Sequence, residues 1–195
     1  MEIYYKIVIG ILYVCFGYIR YNYHKIYKQD KETILFRKFF KREKQLVLWV
    51  AIVFNSTYLL YWFTPILAWA TLLPFVVRIV GVLLSISGLY LFWLTHNALG
   101  TSWSPLLEVK KEHKLITTGI YKHIRHPMYT AILVFTLGLG LISANLVVLL
   151  LPLIIFSILC YVRISDEEGM MISWFGDEYI LYKRKTGMLF PKFRK

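Results

Sequence analysis

Long apolar runs separated by short basic segments dominate this sequence. A helix needs about 20 apolar residues to cross the hydrocarbon core of a bilayer, and about 17 suffice at the lower limit. Five runs approach this length, at residues 3–19, 46–63, 75–94, 129–143 and 146–162. Only Ala144 and Asn145 separate the last two runs, which are short, so we expect them to form a tight helical hairpin.

Composition agrees with a membrane protein. Hydrophobic residues make up 58% of the chain and the mean hydropathy is +0.56, whereas soluble domains are typically about 45 to 50% apolar. We therefore predict an all-α, polytopic membrane protein with five transmembrane helices and a C-terminal helix. No internal repeat appears, so residues 1–195 should form one domain, with three membrane helices in residues 1–94 and two in residues 95–195.

The basic residues predict an orientation. All but Lys6 and Arg78 of the 23 lysines and arginines lie in three segments, at residues 20–44, 110–125 and 163–195. Basic residues next to membrane helices are retained on the cytoplasmic side. The N-terminus should therefore lie outside, and the polar segments and the C-terminus should meet in the cytosol. Because the charge is divided between apolar runs instead of covering one soluble face, we expect no nucleic-acid partner.

The metal-binding residue types do not form a recognisable metal motif. Cys15 and Cys160 lie in apolar runs without a C-x-x-C partner, which favours neither a disulfide framework nor a metal site. Three histidines between residues 113 and 126 leave a single metal open as an alternative. A di-iron oxygenase would need several histidine clusters, and the chain has 5 histidines in all. We predict no metal.

The polar segment at residues 112–129 ends at the start of a membrane helix. Pro127 is suited to the first helical position, where its missing amide is not needed. His126 would then occupy the cap position, beside the amide donors of the helix N-terminus. Such a helix end attracts negatively charged groups. The segment therefore predicts a binding site for a carboxylate.

A second polar segment follows the fifth apolar run. Arg163 and Glu167 are four residues apart, so they share one helical face if the helix continues past the membrane interface. A solvated pair of this kind contributes only about 0.3 to 0.5 kcal/mol. Ionisable groups at membrane depth, by contrast, usually serve a functional site. The position of this pair favours a functional interpretation.

These segments and the C-terminal tail resemble the isoprenylcysteine carboxyl methyltransferases and their prokaryotic relatives. The resemblance covers residues 99–191, and the first two apolar runs resemble nothing in particular. The matching motifs are His113-Lys114-Leu115 through Tyr121, Arg125-His126-Pro127-Met128-Tyr129, Arg163 with Glu167-Glu168, and Phe175-Gly176-Asp177-Glu178-Tyr179-Ile180-Leu181-Tyr182.

The resemblance implies a membrane methyltransferase that uses S-adenosylmethionine and releases S-adenosylhomocysteine. The acceptor would be the carboxylate of a lipidic substrate, such as a prenylated C-terminal cysteine. Arg163 would bind this substrate, and Arg163 and Glu167 would be the catalytic residues. The residues implied to bind the donor are His113, Lys114, Leu115, Ile116, Gly119, Tyr121, His126, Pro127, Met128, Tyr129 and Glu167.

Other functions stay open on the sequence alone. Ile120 and Ala131 replace a proline and a glycine that the family often carries, which leaves the acceptor open. A phospholipid N-methyltransferase would share the donor but not the acceptor. A membrane NADPH-dependent sterol-type reductase has a similar Arg-His-Pro-x-Tyr region and would bind a nicotinamide cofactor. A lipid-binding protein without enzymatic activity would neither bind the donor nor release methyl groups.

Overall fold

The computed structural model describes residues 2–29, 34–37, 41–63, 73–105, 108–110 and 114–192. Helices dominate these residues, which confirms the predicted helical class. The α-helices are α1 (Glu2–Gln29), α2 (Lys41–Phe63), α3 (Phe75–Leu99), α4 (Pro127–Ser143), α5 (Leu146–Phe175) and α6 (Asp177–Lys185). Short 3-10 helices at Gly100–Ser102 and Gly119–Lys122 connect α3 to α4. Strands β1 (Ile34–Arg37) and β2 (Glu108–Lys110), which the sequence analysis did not predict, pair antiparallel.

Four of the helices are long and apolar enough to cross a membrane, namely α1, α2 from Lys44 onward, α3 and α5. They expose large apolar side chains on their outer faces; Val14 is 70% exposed, Val76 68% and Phe63 75%. Unpaired apolar surface of this extent is stable only against lipid or a partner. The chain is therefore an integral membrane protein. Helix α4 has 17 residues and is about 25 Å long, which is short of the full hydrocarbon thickness.

Three helices continue past the C-terminal ends of the apolar runs that predicted them. Helix α1 continues to Gln29, α3 to Leu99 and α5 to Phe175. Nothing in the polar stretch that follows residue 162 breaks the helix, because no proline occurs there and the glycine at 169 is flanked by good helix formers. Since α5 continues, Arg163 and Glu167 do share one face, as the sequence analysis required.

Helices α3 and α4 pack most closely of all, through small residues. A Cβ added at Gly81 would lie 2.8 Å from the Gly138 carbonyl oxygen, and one at Gly88 would lie 2.5 Å from the Phe135 nitrogen. The Ser85 hydroxyl lies 3.5 Å from the Phe135 carbonyl oxygen, which it can reach as a donor. Small residues at such spacing let membrane helices approach each other closely, and these glycines serve that close packing.

Two residues connect α4 to α5. Ala144 adopts a left-handed conformation (φ 49°, ψ 34°), and the Asn145 side chain accepts hydrogen bonds from the amides of Val147 and Val148. The side chain thereby caps α5. These contacts reverse the chain between two antiparallel helices.

The helix directions place the polar segments together at one end of the bundle. Arg78, near the start of α3, pairs with Glu2 at the start of α1 (2.9 Å). The Lys6 ammonium donates to the carbonyl of Trp62 at the end of α2 (3.1 Å). This end also holds the α4–α5 turn. The opposite end, called here the basic end, holds the last turns of α1 and α3, the start of α4 and the last turns of α5.

Candidate active site

A cavity of about 480 Å³ opens at the basic end and continues between the helices. Its lining has two chemically different parts. The polar half is formed by Arg20, Trp103, Lys114, Leu115, Ile116, Tyr121, Arg125, His126, Tyr129, Arg163, Glu167, Tyr179 and Tyr182. The apolar half is formed by Tyr13, Phe16, Val47, Val50, Ala51, Phe54, Ile132, Phe156 and Leu159, with Asn55 at its margin. One site can therefore hold a polar molecule next to a lipid tail.

The apolar half lies between helices that pack against different partners. Helix α1 packs on α3 and α4, whereas α2 packs on α5. Phe16 of α1 and Val50 of α2 both line the space between them. The Tyr13 hydroxyl donates to the Asn55 side-chain oxygen (3.1 Å) and joins the two helices. Because Ala51 and Asn55 line the cavity and are also exposed, the apolar half reaches the lipid-facing surface on this side.

Arg163 and Glu167 form the centre of the polar half. The Arg163 Nε atom donates to Glu167 Oε1 (2.9 Å), and a terminal nitrogen of Arg163 donates to the Pro105 carbonyl oxygen (3.0 Å). The Tyr129 hydroxyl donates to the same Glu167 oxygen (2.6 Å). These bonds fix the orientation of the guanidinium group. Arg163 is buried and lies on a turn of α5 near the basic end.

His126 joins the start of α4 to two adjacent carboxylates on α5. Its Nδ1 atom lies 3.3 Å from Glu167 Oε2, and its Nε2 atom lies 3.3 Å from Glu168 Oε1. His126 is the cap residue of α4 and Pro127 its first helical residue, as predicted. Burial alone would lower the pKa of His126, but the hydrogen bonds and negative charges of both glutamates raise it above its ordinary value. The imidazolium form can donate to both carboxylates.

Glu168 holds three elements together. Its carboxylate accepts from Arg125 Nε (2.8 Å) and pairs with Lys183 of α6 on its other oxygen. Together with His126, three cationic side chains thus surround one carboxylate that is only 6% exposed. Glu168 belongs to one of the sequence motifs, but no role was predicted for it. The pair of adjacent glutamates was the available signal, because adjacent helical positions point in different directions and can serve different partners.

The C-terminal segment completes the polar half. The Tyr182 hydroxyl of α6 donates to the Tyr121 carbonyl oxygen (2.6 Å). Burial raises the pKa of Tyr182 to about 12, so the hydroxyl keeps its proton for this bond. The backbone amides of Arg125 and His126 donate to the carbonyl oxygens of Gly187 and Met188 (2.9 and 3.0 Å). The C-terminal segment therefore packs against the segment that precedes α4 and closes the site there.

The structure brings most of the predicted site residues to this cavity. Those that line it are Lys114, Leu115, Ile116, Tyr121, His126, Met128, Tyr129, Arg163 and Glu167. Two others that the structure describes do not line it. Gly119 has a positive φ of 59° where a 3-10 helix starts, and Pro127 is buried in the first turn of α4. His113 lies outside the described residues, and the binding roles stay predictions.

The contribution of α1 and α2 to the cavity was not predicted from the sequence. Arg20 was counted only among the basic residues that orient the chain, yet its guanidinium lies in the cavity over the ring of Trp103, 5.1 Å from the ring centroid. Tyr13, Phe16 and Arg20 are spaced three and four residues apart, which places them on one helical face. That spacing was the signal in the sequence.

The chemistry of the polar half suits S-adenosylmethionine, the cofactor that the resemblance implies. This molecule carries a sulfonium cation, an ammonium group, a carboxylate and an aromatic base. Among the described lining residues Glu167 supplies a negative charge, Lys114 and the arginines supply positive charges, and Tyr121 and Tyr179 supply aromatic surface. In the part of the chain that the structure describes, no group of three histidine, cysteine or acidic residues is arranged to hold a metal ion.

Comparisons with known proteins find similarity that centres on the second half of the chain. Residues 79–173 match the model of the isoprenylcysteine carboxyl methyltransferase (ICMT) family. A protein-S-isoprenylcysteine O-methyltransferase of Schizosaccharomyces pombe is 37% identical over 90 residues, which cover 45% of this chain and 38% of that protein. The protein of that name from Saccharomyces cerevisiae is 35% identical over 119 residues, which cover 58% of this chain and 48% of the yeast protein.

Two further matches extend the comparison. The cobalt-zinc-cadmium resistance protein CzcN of Cupriavidus metallidurans is 32% identical over 94 residues, which cover 48% of this chain and 43% of CzcN. A solved structure of the eukaryotic intramembrane Ras methyltransferase ICMT has a TM-score of 0.58 and 24% identity, and the match covers 76% of this chain and 52% of that one. That match shows a common fold. The chain spans about half the length of these relatives or less.

Proposed function

We propose, from the match of residues 79–173 to the model of the ICMT family, that the chain is a membrane enzyme that methylates a carboxylate. The donor would be S-adenosylmethionine, and the acceptor would be a lipidic carboxylate such as a prenylated C-terminal cysteine. One observation carries the proposal: a single cavity joins a polar half built on Arg163 and Glu167 to an apolar half between α1, α2, α4 and α5.

The reaction needs positioning more than acid–base catalysis. The pKa of an unperturbed α-carboxylate is about 3.5, so the acceptor is ionised at neutral pH and needs no general base. Holding two reactants in attack geometry can supply about 7 to 11 kcal/mol of the barrier. When bound, S-adenosylmethionine supplies an electrophilic methyl group on sulfur. The residues of the chain have to bring a carboxylate oxygen into line with it and exclude water.

Arg163 is suited to hold the acceptor. Its guanidinium is planar and stays charged, and it can bind a carboxylate through two parallel hydrogen bonds. Bonds to Glu167 and to the Pro105 carbonyl oxygen fix its plane. Because Phe156 and Leu159 precede Arg163 on the same helix, a carboxylate held by Arg163 would leave its lipid tail beside the apolar half.

Glu167 is suited to hold the donor. Three neighbours bond to its carboxylate, namely Tyr129, His126 and Arg163. These bonds keep a negative charge at a fixed place in the polar half, where it attracts a sulfonium or an ammonium group. Lys114, at the margin of the cavity, is placed to pair with the carboxylate of the donor.

The same proposal includes the topology. Helix α4 would insert with α5 as a fifth, shorter membrane helix, and the basic end would face the cytosol, with the N-terminus outside. The soluble donor would then enter from the cytosol. The lipid tail would enter sideways from the bilayer, between α1 and α2, where Ala51 and Asn55 are exposed.

Methyl transfer to defined acceptors tests the proposal. Purified protein in detergent would be incubated with methyl-labelled S-adenosylmethionine and either N-acetyl-S-farnesylcysteine, its carboxamide or phosphatidylethanolamine. We expect label on the carboxylate only, in a form released by mild base as methanol. Base-stable label on the phospholipid would replace this proposal with nitrogen methylation. No transfer to any acceptor, together with stabilisation by NADPH, would favour a reductase.

A further inference from the structure

Arg20 lines the cavity beside Arg125 and Arg163, but it belongs to a helix outside the part matched by the family model. It sits near the inner end of α1 and lines the polar half. Arg163 reaches the same polar half from α5, and the two positive charges are close enough to repel each other. Because Glu167 pairs with Arg163 and Glu168 pairs with Arg125, the positive charge of Arg20 remains to attract an anion.

Arg20 has no acidic partner among the described residues. Its guanidinium lies over the face of Trp103 at 5.1 Å. By contrast, Arg125 donates to Glu168, and Arg163 donates to Glu167. A half-buried arginine without an anion is costly, because buried charges are normally paired. The missing anion is therefore expected from a ligand.

Trp103 is a rigid support for Arg20. Its ring is 3% exposed and is packed between His96 at 5.1 Å and Tyr27 at 6.1 Å. The His96 ring is itself fixed by a 2.9 Å contact between its Nδ1 atom and the Phe92 carbonyl oxygen. Stacking on a fixed aromatic ring holds the planar guanidinium in one orientation. Arg20 is thus preorganised and its hydrogen-bond donors do not have to be ordered on binding.

The balance of charge in the cavity indicates whether Arg20 holds the carboxylate of the donor or that of the acceptor. Glu167 is the acidic side chain among the described residues that line the cavity, and in the proposed function it faces the cationic part of the donor. Lys114, at the outer margin, is exposed and can serve the carboxylate of the donor. Arg20, in contrast, shares its helical face with Phe16 and Tyr13 of the apolar half. An acceptor whose carboxylate binds Arg20 can therefore extend its lipid chain along the apolar half.

We propose that Arg20 and Arg163 together hold the carboxylate of the lipidic acceptor, one from each side. This inference rests on the proposed function and adds a substrate-binding residue to it. Arg20 selects acceptors that carry a negative charge next to the lipid chain, and Arg163 orients the oxygen that accepts the methyl group. No covalent step is assigned to Arg20.

The test compares Arg20→Met, which removes the charge and keeps the length, with Arg20→Lys, which keeps the charge and removes the planar fork. Lys25→Met is the matched control, because Lys25 is an exposed basic residue on the same helix and does not line the cavity. The acceptor is N-acetyl-S-farnesylcysteine. Its KM and kcat are measured at saturating donor, and the affinity for S-adenosylhomocysteine is measured by calorimetry.

We expect Arg20→Met to raise the acceptor KM about 10- to 100-fold, as for loss of a hydrogen bond between charged groups. Arg20→Lys should raise it less, and Lys25→Met should leave it unchanged. The affinity for S-adenosylhomocysteine should stay within about twofold in all variants, as expected of a residue that does not touch the donor. An unchanged acceptor KM in Arg20→Met overturns the inference, and so does a loss of donor affinity that leaves the acceptor KM unchanged.

Competition binding separates this inference from the proposed function. Wild-type protein should bind N-acetyl-S-farnesylcysteine more tightly than its carboxamide, and Arg20→Met should lose most of this preference, because only Arg163 still holds the carboxylate. Wild-type protein that transfers no methyl group but shows this preference would refute the proposed function and keep the anion site. Wild-type protein that makes the methyl ester, with a preference unchanged in Arg20→Met, would refute the role of Arg20 alone. If Arg20→Met fails to fold, the same comparison applies to Arg20→Lys, with a smaller expected change.

Discussion

Two regions build the same cavity in different ways. The first region is helices α1 and α2, and the second region is the described part of residues 79–173. In the second region, side chains from α4 and α5 are tied together by ion pairs, with Glu167 and Glu168 as the shared acceptors. In the first region, α1 and α2 contribute apolar walls, one hydrogen bond between Tyr13 and Asn55, and Arg20. The second region matches the family model and the first does not. Ion pairs thus fix the polar half, whereas the first region contributes mainly apolar contacts.

The largest effect should come from the ion pair in the second region. Arg163→Lys keeps the charge but loses the planar fork, and Glu167→Gln removes the negative charge. We expect each to lower kcat/KM roughly 100-fold or more. Arg163→Lys loses the two parallel hydrogen bonds to the acceptor, and Glu167→Gln leaves the buried Arg163 without its anionic partner, at a cost of about 3 to 5 kcal/mol. Arg163→Lys should act mainly on the acceptor and Glu167→Gln mainly on donor affinity. Unchanged turnover in both variants would mean that the pair is only structural.

A second large effect should be on stability. Glu168→Gln leaves Arg125, His126 and Lys183 without their carboxylate. We expect about 2 to 4 kcal/mol of destabilisation, reduced somewhat from the value for a fully buried pair because Lys183 is partly exposed. Thermal unfolding in detergent measures it. Glu178→Gln, at an exposed position on α6, is the control and should change little. Equal melting temperatures in the two variants would contradict the role of Glu168.

How far the sequence predicts this structure differs between the two regions. The apolar runs predicted where the membrane helices lie. The motifs predicted that Tyr129, His126 and Glu167 lie together. The structure was needed to show that α5 continues past residue 162, so that Arg163 and Glu167 share one helical face. Arg20 was missed because its role depends on the position of Trp103, 83 residues further along the chain. Neither the docking of α6 nor the β1–β2 pairing is encoded by local periodicity, since both depend on distant partners.

A glycine from each region compares the tightness of packing. A Cβ at Gly138 of α4 would lie 2.5 Å from the backbone nitrogen of Ser85, whereas a Cβ at Gly17 of α1 would meet nothing within 4 Å. We expect Gly138→Ala to destabilise the protein by about 1 to 3 kcal/mol through overpacking. Gly17→Ala should be neutral or slightly stabilising. Thermal unfolding of both variants would check this, and a neutral Gly138→Ala would show that α3 and α4 can separate without cost.

The smallest effect should come from the apolar wall of the first region. Ala51→Phe adds bulk where α2 lines the cavity and is exposed. We expect the KM of a farnesylated acceptor to rise about fivefold, which corresponds to about 1 kcal/mol, the scale of one buried methylene group. The KM of a short-tailed acceptor should not change, and the donor affinity should stay the same. Equal increases for long and short acceptors would contradict entry of the tail between α1 and α2.

The central claim is that one cavity holds the donor in its polar half and the lipid tail in its apolar half. Photo-crosslinking tests it directly, with an acceptor that carries a diazirine on its prenyl tail and a donor analogue that carries an azide on its adenine ring. Mapping of the labelled peptides should place the tail on residues of the apolar half, such as Phe54 and Phe156, and the adenine on residues 114–129 or on α6. Adducts of both probes on the same residues, or of the tail probe only on lipid-facing positions such as Val76, would contradict the claim.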